Sequence, residues 1–296
     1  GINSIRNLLK NDDINENTKE IIVPEMLKLQ DLIQDLFKQN KKVIFTMGKG
    51  GVGKTTLAAA IALGLAEKGA KVHLTTTDPA DHLDFVIAQS DNVTISKIDE
   101  KVELNKYKEE VLKTAKDSMS DNDIAYIEED LRSPCTQEIA LFRAFAEIVE
   151  KADNEIVVID TAPTGHTLLL LDATESYHKE IQRSQGNVPE SVKKLLPRLR
   201  NKNETEVVIV TLPETTPVFE ALRLQEDLKR AGINNKWWII NSSLLLTETD
   251  NVFLKAKAQT EITWINKVKE FAEDNVVVVP WQGAEIKEEN IRNLIN

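Results

Sequence analysis

The sequence predicts an α/β fold in which a mostly parallel sheet is covered by helices on both faces. Two observations carry this: short β-branched runs that are apolar on both faces, and helical stretches that separate each run from the next. A third is a glycine-rich turn set directly between the first run and the first helix of that alternation.

In chain order, residues 1–41 read as a polar, linker-like arm. Asn11-Asp12-Asp13 and Asn15-Glu16-Asn17 interrupt it, and Met26, Leu27, Leu29, Leu32, Ile33 and Leu36 recur at helical spacing, which predicts a docking helix at its end. Residues 42–296 read as the domain proper. Within it Val43–Thr46 is a buried strand, Lys54–Glu67 a helix, and Val72–Thr76 and Ile156–Ile159 are strands. Further strands fall at Val207–Val210, Trp238–Ile240 and Val276–Val279, with helices near 214–231 and 252–273. Between Asp99 and Ala152 the pattern stays helical apart from a loop near Asp130–Pro134, and a second helical stretch covers about 165–200. Insertions of this kind between strands predict a separate helical layer. There is no internal repeat and no low-complexity tract.

Composition narrows the function classes. A chain of 296 residues with 41% hydrophobic content buries one large core, so a single main domain is expected. The 48 acidic against 37 basic side chains give a net charge of −11, which disfavours nucleic acid and anionic lipid as partners. The apolar runs are strand-sized, far short of the roughly 20 residues that span a bilayer, so no direct membrane insertion is expected. Gly1-Ile2-Asn3-Ser4 lacks a charged start and an apolar stretch, and Cys135 is a lone cysteine, so a cytoplasmic location is expected. A first residue other than Met hints at a longer chain.

The glycine-rich turn meets the pattern G-x-x-x-x-G-K-S/T through Gly48, Lys49, Gly50, Gly51, Val52, Gly53, Lys54 and Thr55, with Thr56 following. After a strand and before a helix, this is a P-loop: backbone N–H groups close around phosphate oxygens and the helix dipole adds to them. Lys54 is expected to reach the β- and γ-phosphates of ATP, and Thr55 to give its hydroxyl to Mg²⁺. Two acids end strands, Asp78 in Thr77-Asp78-Pro79-Ala80 and Asp160 in Asp160-Thr161-Ala162-Pro163. The carboxyl ends of parallel strands line the ligand crevice, so both converge on the metal and phosphates. Asp160 is then the metal-side acid and Asp78 orients the attacking water, although an Asp at either place also suits a helix cap. His73 alternates with apolar residues and reads as structural, whereas His82 either touches the catalytic water or bonds a backbone carbonyl. His178 reads as a solvated group, and Trp237, Trp238 and Trp281 as core or edge residues near strand ends.

With K-G-G-V-G-K-T-T, T-T-D-P-A-D-H-L and D-T-A-P-T-G-H-T-L-L-L-L-D in order, the chain from about Lys42 onward resembles the arsenical-pump ATPase family. It is similar in particular to the C-terminal half of the two-half pump ATPase, through Asp130–Ala140, Leu171–Ile181 and Leu212–Val218. The resemblance implies a deviant P-loop ATPase in which Lys49 reaches a nucleotide across a dimer or pseudo-dimer interface, the partner being a second copy or a second ATPase half. It implies that Asp78 belongs to a first switch and Asp160–His166 to a second, that Asn241 reads the adenine, that Pro280 lies beside that base and that Glu214 contacts nucleotide across the interface. It further implies a membrane-embedded arsenite pump as partner, peripheral placement at the inner face of the membrane, and As(III) or Sb(III) as activator. Ser133 and Pro134 suit a helix start, which puts Cys135 in a first turn where the dipole favours a thiolate. With the resemblance, Cys135 becomes a metalloid ligand and His166 a second candidate. The paired cysteines of the related targeting ATPases are absent, so delivery of tail-anchored membrane proteins is the alternative, with a nucleotide-binding regulatory half as another.

Overall fold

The computed structural model describes residues 26–77, 92–118, 121–161, 189–247, 249–283 and 288–295. Seven strands form one parallel sheet: β1 (Val43–Met47), β2 (Val72–Thr76), β3 (Val93–Lys97), β4 (Ile156–Asp160), β5 (Thr205–Thr211), β6 (Trp238–Ser243) and β7 (Val276–Pro280), in the spatial order β3-β2-β4-β1-β5-β6-β7. The chain leaves β1 to build β2, β3 and β4 on one side of it and β5, β6 and β7 on the other. The loop after β1 therefore sits where the winding direction changes, which is where such sheets open a crevice.

The helices are α1 (Leu29–Lys38), α2 (Lys54–Glu67), α3 (Glu100–Ser118), α4 (Asp121–Asp130), α5 (Pro134–Glu150), α6 (Glu190–Arg200), α7 (Thr215–Arg230), α8 (Val252–Phe271) and the short α9 (Glu288–Ile291). Strand periodicity sorts them between the faces. Ile44, Val158, Val208, Val210, Ile239 and Val277 share one core with α1 and α2, while Val43, Phe45, Val157, Ile159, Ile209 and Ile240 share the other with α5, α6, α7 and α8. This is why the strands read as apolar on both faces: both are covered.

Helix α2 is buried continuously from Leu57 to Ala66, because α1 lies over it. Leu29, Leu32, Ile33 and Leu36 of α1 are each at most 1% exposed, and burying a side chain of this size contributes roughly 1.5–3 kcal/mol. The approach is close at Gly64, where a Cβ would stand 2.6 Å from Ile33 Cδ1. Asp35 of α1 also accepts hydrogen bonds from Lys236 Nζ and Trp237 Nε1, both at 2.7 Å, just ahead of β6. Leu27, before α1, bridges in parallel to Val277 of β7.

Of the inserted helices, α5 lies directly on the sheet through Phe142, Phe145 and Val149. Helix α3 stacks outside it, joined by Arg143–Glu110 at 2.9 Å and Lys106–Glu147 at 3.0 Å. Strand β3, absent from the sequence reading, lies at one edge of the sheet and buries only Val93 of its Val-Thr-Ile-Ser-Lys side chains, so it lacks the near-continuous burial of the other six. Trp237 and Trp238 are buried as expected of core residues, whereas Trp281, the residue after β7, is 46% exposed.

Candidate functional site

The site is assembled from strand ends. Met47 closes β1, and the loop 48–53 folds back so that Gly53 becomes the residue before α2. Gly53 has φ 93°, a left-handed conformation that costs an L side chain strain, and a Cβ there would stand 2.3 Å from Asn241 Nδ2. At Gly48 the obstacle is backbone, since a Cβ would come within 2.2 Å of the Val210 carbonyl oxygen of β5. Gly48 and Gly53 are thus required by the walls on either side of the loop. Gly51 faces the other way: among the described residues, its chain neighbours apart, nothing lies within 4 Å of where its Cβ would be.

The first turn of α2 carries no acidic residue and no side-chain cap, so its N–H groups and dipole are available to an anion. Lys54 is 6% exposed, with Nζ 3.1 Å from the Lys49 carbonyl oxygen of the loop. An ammonium folded over its own loop is placed to accompany a phosphate chain lying there. Lys49 points elsewhere, to Glu220 Oε1 of α7 at 3.2 Å, with both side chains 38% exposed.

Asp160, the last residue of β4, is fully buried. Its Oδ2 accepts a 2.6 Å hydrogen bond from Thr55 Oγ1 and a 3.3 Å one from Thr76 Oγ1, and its Oδ1 accepts from Thr46 Oγ1 at 3.4 Å. Three hydroxyls, from the ends of β1 and β2 and the start of α2, therefore solvate one carboxylate. A hydroxyl beside a carboxylate at the foot of a phosphate loop is the oxygen donor set that Mg²⁺ prefers. The residues fit a magnesium–polyphosphate group on both counts, charge and donor type.

The remaining strand ends form the opposite wall. Asn241 Nδ2 donates to the Val52 carbonyl oxygen at 2.9 Å, tying β6 to the loop. Pro280 ends β7 in register with Ser243 of β6. Glu214 is the residue before α7, exposed, and bonds Lys257 of α8 at 2.9 Å. Gly48–Thr56, Asp160, Asn241 and Pro280 are thus brought to one edge of the sheet. Asp78, His82, His166 and His178 lie outside the described residues. Cys135 is the second residue of α5, after Ser133 at the N-cap position, and the ligand role expected of its thiol falls outside the side chains described. Sequence reasoning missed Thr46 and Thr76 as donors to Asp160. A polar residue inside an otherwise apolar strand was the available signal.

Away from this edge, His73 is buried beside Thr94 Oγ1 and Ser96 Oγ, both at 2.8 Å, with Lys151 Nζ at 3.2 Å and Glu155 Oε1 at 3.9 Å. Burial, reinforced by the Lys151 charge, pushes its pKa down to about 4. It is a neutral strut between β2 and β3. Among the described residues no helix is long and apolar enough to cross a membrane.

The model of a family described as anion-transporting ATPase matches residues 41–188 and 184–294. Arsenical pump-driving ATPases of Acidiphilium multivorum and Escherichia coli are each 46% identical, over 264 and 258 residues. These alignments cover 89% and 87% of this chain but 45% and 44% of the relatives, so the chain spans less than half of their length. A relative from Aquifex aeolicus is 33% identical over 284 residues, 83% of this chain and 94% of its own length.

Proposed function

The chain belongs to the anion-transporting ATPase family, and from that premise we propose that it binds MgATP on Gly48–Thr56, hydrolyses it, and so powers a membrane arsenite or antimonite pump. The observation that carries the reading is the 2.6 Å contact between Thr55 and the buried Asp160 at the foot of the loop. Thr55 would hold Mg²⁺ directly and Asp160 through water, and the ion, when bound, offsets the phosphate charge. Lys54 and the N–H groups of the first turn of α2 hold the phosphates. Asn241 and Pro280 flank the base, and Asp78, two residues past β2, orients the attacking water. The names of the 46% identical relatives support the coupling to metalloid export.

Residues 42–296 would be the ATPase domain, with 1–41 an arm that ends in α1. A nucleotide-sandwich dimer or pseudo-dimer is part of the proposal, since the chain spans less than half the length of those relatives. Lys49 is its cross-interface residue, with Glu214 facing the partner's nucleotide. The half-exposed Lys49–Glu220 pair is worth about 0–1 kcal/mol, so a phosphate that arrives with the partner displaces Glu220 readily. Cys135, with His166, would receive As(III) or Sb(III) as the activating effector, and the pump would hold the protein at the inner face of the membrane.

The test is phosphate release from MgATP by this chain with and without antimonite, and with Cys135→Ala beside the wild type. Turnover that antimonite raises, and raises less in the variant, is expected. No turnover in either condition would defeat the ATPase reading, and an equal antimonite response in the two proteins would defeat the ligand role of Cys135.

A further inference from the structure

Glu261 lies in the middle of α8, 2% exposed, on the side of the helix that faces β6. Three acids are buried among the described residues, and the other two have clear assignments: Asp160 at the phosphate loop, and Glu206 paired with Lys41 at 3.5 Å. Glu261 instead accepts from Ser243 Oγ at 2.8 Å, Leu244 N at 3.0 Å and Leu245 N at 3.3 Å. Successive backbone N–H groups have closed around a carboxylate supplied by the protein itself. A buried charge is costly, and an apolar side chain of similar size would be cheaper unless these donors need holding.

What the carboxylate holds is the turn that follows Asn241. Ser242 has φ 56°, and the pairing between β6 and β7 shifts register between Ile240 and Ser243. Neither feature persists without an anchor. Ser243 is the junction: its hydroxyl meets Glu261, its carbonyl accepts from Trp281 N at 2.9 Å, and it pairs with Pro280. Asn241 is fixed from the other side, because Nδ2 donates to the Val52 carbonyl and so turns Oδ1, an acceptor, to the opposite side of the amide. An acceptor meets the exocyclic amine of adenine and repels the carbonyl oxygen that guanine has at the same place.

We propose that Glu261 is a positioning residue that fixes the base-side wall, Asn241 to Ser243 against Pro280, and thereby sets preference for an adenine over a guanine nucleotide. This rests on the nucleotide-site reading above. It acts on the base and leaves the phosphate loop alone, which makes the two separable.

The experiment titrates MgATP, MgGTP and magnesium tripolyphosphate calorimetrically into the wild type, Glu261→Gln and Ser243→Ala. Tripolyphosphate reports the phosphate loop without the base. Gln can keep an oxygen at the Oε2 place, where Ser243 Oγ, Leu244 N and Leu245 N donate, but it removes the carboxylate charge from these bonds and sets an NH₂ group where Oε1 accepts from Leu244 N at 3.3 Å. ATP affinity in Glu261→Gln should therefore fall about tenfold and the ATP-to-GTP preference by a similar factor, with tripolyphosphate affinity within about twofold of wild type. Ser243→Ala removes one donor and should show the same pattern at about threefold, which keeps the test decisive if Glu261→Gln does not fold. An unchanged ratio of ATP to tripolyphosphate affinity in the variants overturns the proposal, as does a wild type that binds tripolyphosphate as tightly as ATP. A wild type that binds none of the three overturns the nucleotide-site reading itself.

Discussion

Gly53→Ala tests whether β6 and the phosphate loop are built as one wall. At φ 93° an alanine pays a left-handed conformational cost of about 1 kcal/mol. Its Cβ would also stand 2.3 Å from Asn241 Nδ2, so the amide must turn away and lose its 2.9 Å bond to the Val52 carbonyl. That loss adds about 1 kcal/mol, for a total near 2 kcal/mol. Gly51→Ala is the control: its φ of 80° carries the same conformational cost, but among the described residues, its chain neighbours apart, no atom lies within 4 Å of the new Cβ. Urea unfolding should therefore place Gly53→Ala about 1 kcal/mol below Gly51→Ala. In Gly53→Ala/Asn241→Ala the clash is gone, and the two losses should sum to less than the separate ones by about 1 kcal/mol. Equal destabilisation of the two glycine variants, or strict additivity in the double variant, would refute the contact between loop and strand.

Stability should fall in acid through His73. Its pKa is held near 4 against 6.5 for the free side chain, so the unfolded chain takes up a proton that the folded one refuses. The stabilisation is present above pH 6.5, is lost as the pH falls toward 4, and amounts to about 3 kcal/mol. Unfolding free energies of wild type and His73→Gln at pH 7 and pH 4.5 check this, with a smaller drop expected in the variant and an equal drop counting against it. Lys49→Ala should bind MgATP in the single chain within about twofold of wild type yet lose most ATP-dependent self-association in sedimentation, because an exposed ion pair with Glu220 contributes little. Undiminished association would remove Lys49 from the interface.

How much of this was legible in the sequence varies with the physics. Six strands were readable because burial keeps runs such as Val276–Val279 apolar even at the far edge of the sheet, and β3 was not, because only Val93 of its five residues is buried and three of the other four are polar. The loop Gly48–Thr56 was readable because Gly48 and Gly53 are imposed by neighbouring walls, at Val210 and at Asn241. Asp160 was readable from its place at a strand end. The partners it recruits were not, since Thr46 and Thr76 become donors only once β1 and β2 flank β4. Glu261 and Glu220 sit among other charged residues on amphipathic helices, and only the packing of α8 on β6 and of α7 beside the loop separates them from solvated side chains.

The dependence of ATP affinity on Mg²⁺ tests most directly whether Asp160 and Thr55 form the metal side of a nucleotide site. Measured in wild type and Asp160→Asn with and without the ion, ATP should bind the wild type more tightly when Mg²⁺ is present. The variant should keep the Mg²⁺-free affinity, which Lys54 and the loop supply, and lose most of the gain from the ion. The same gain in both proteins, or no binding of ATP to the wild type, would contradict the site described at the end of β4.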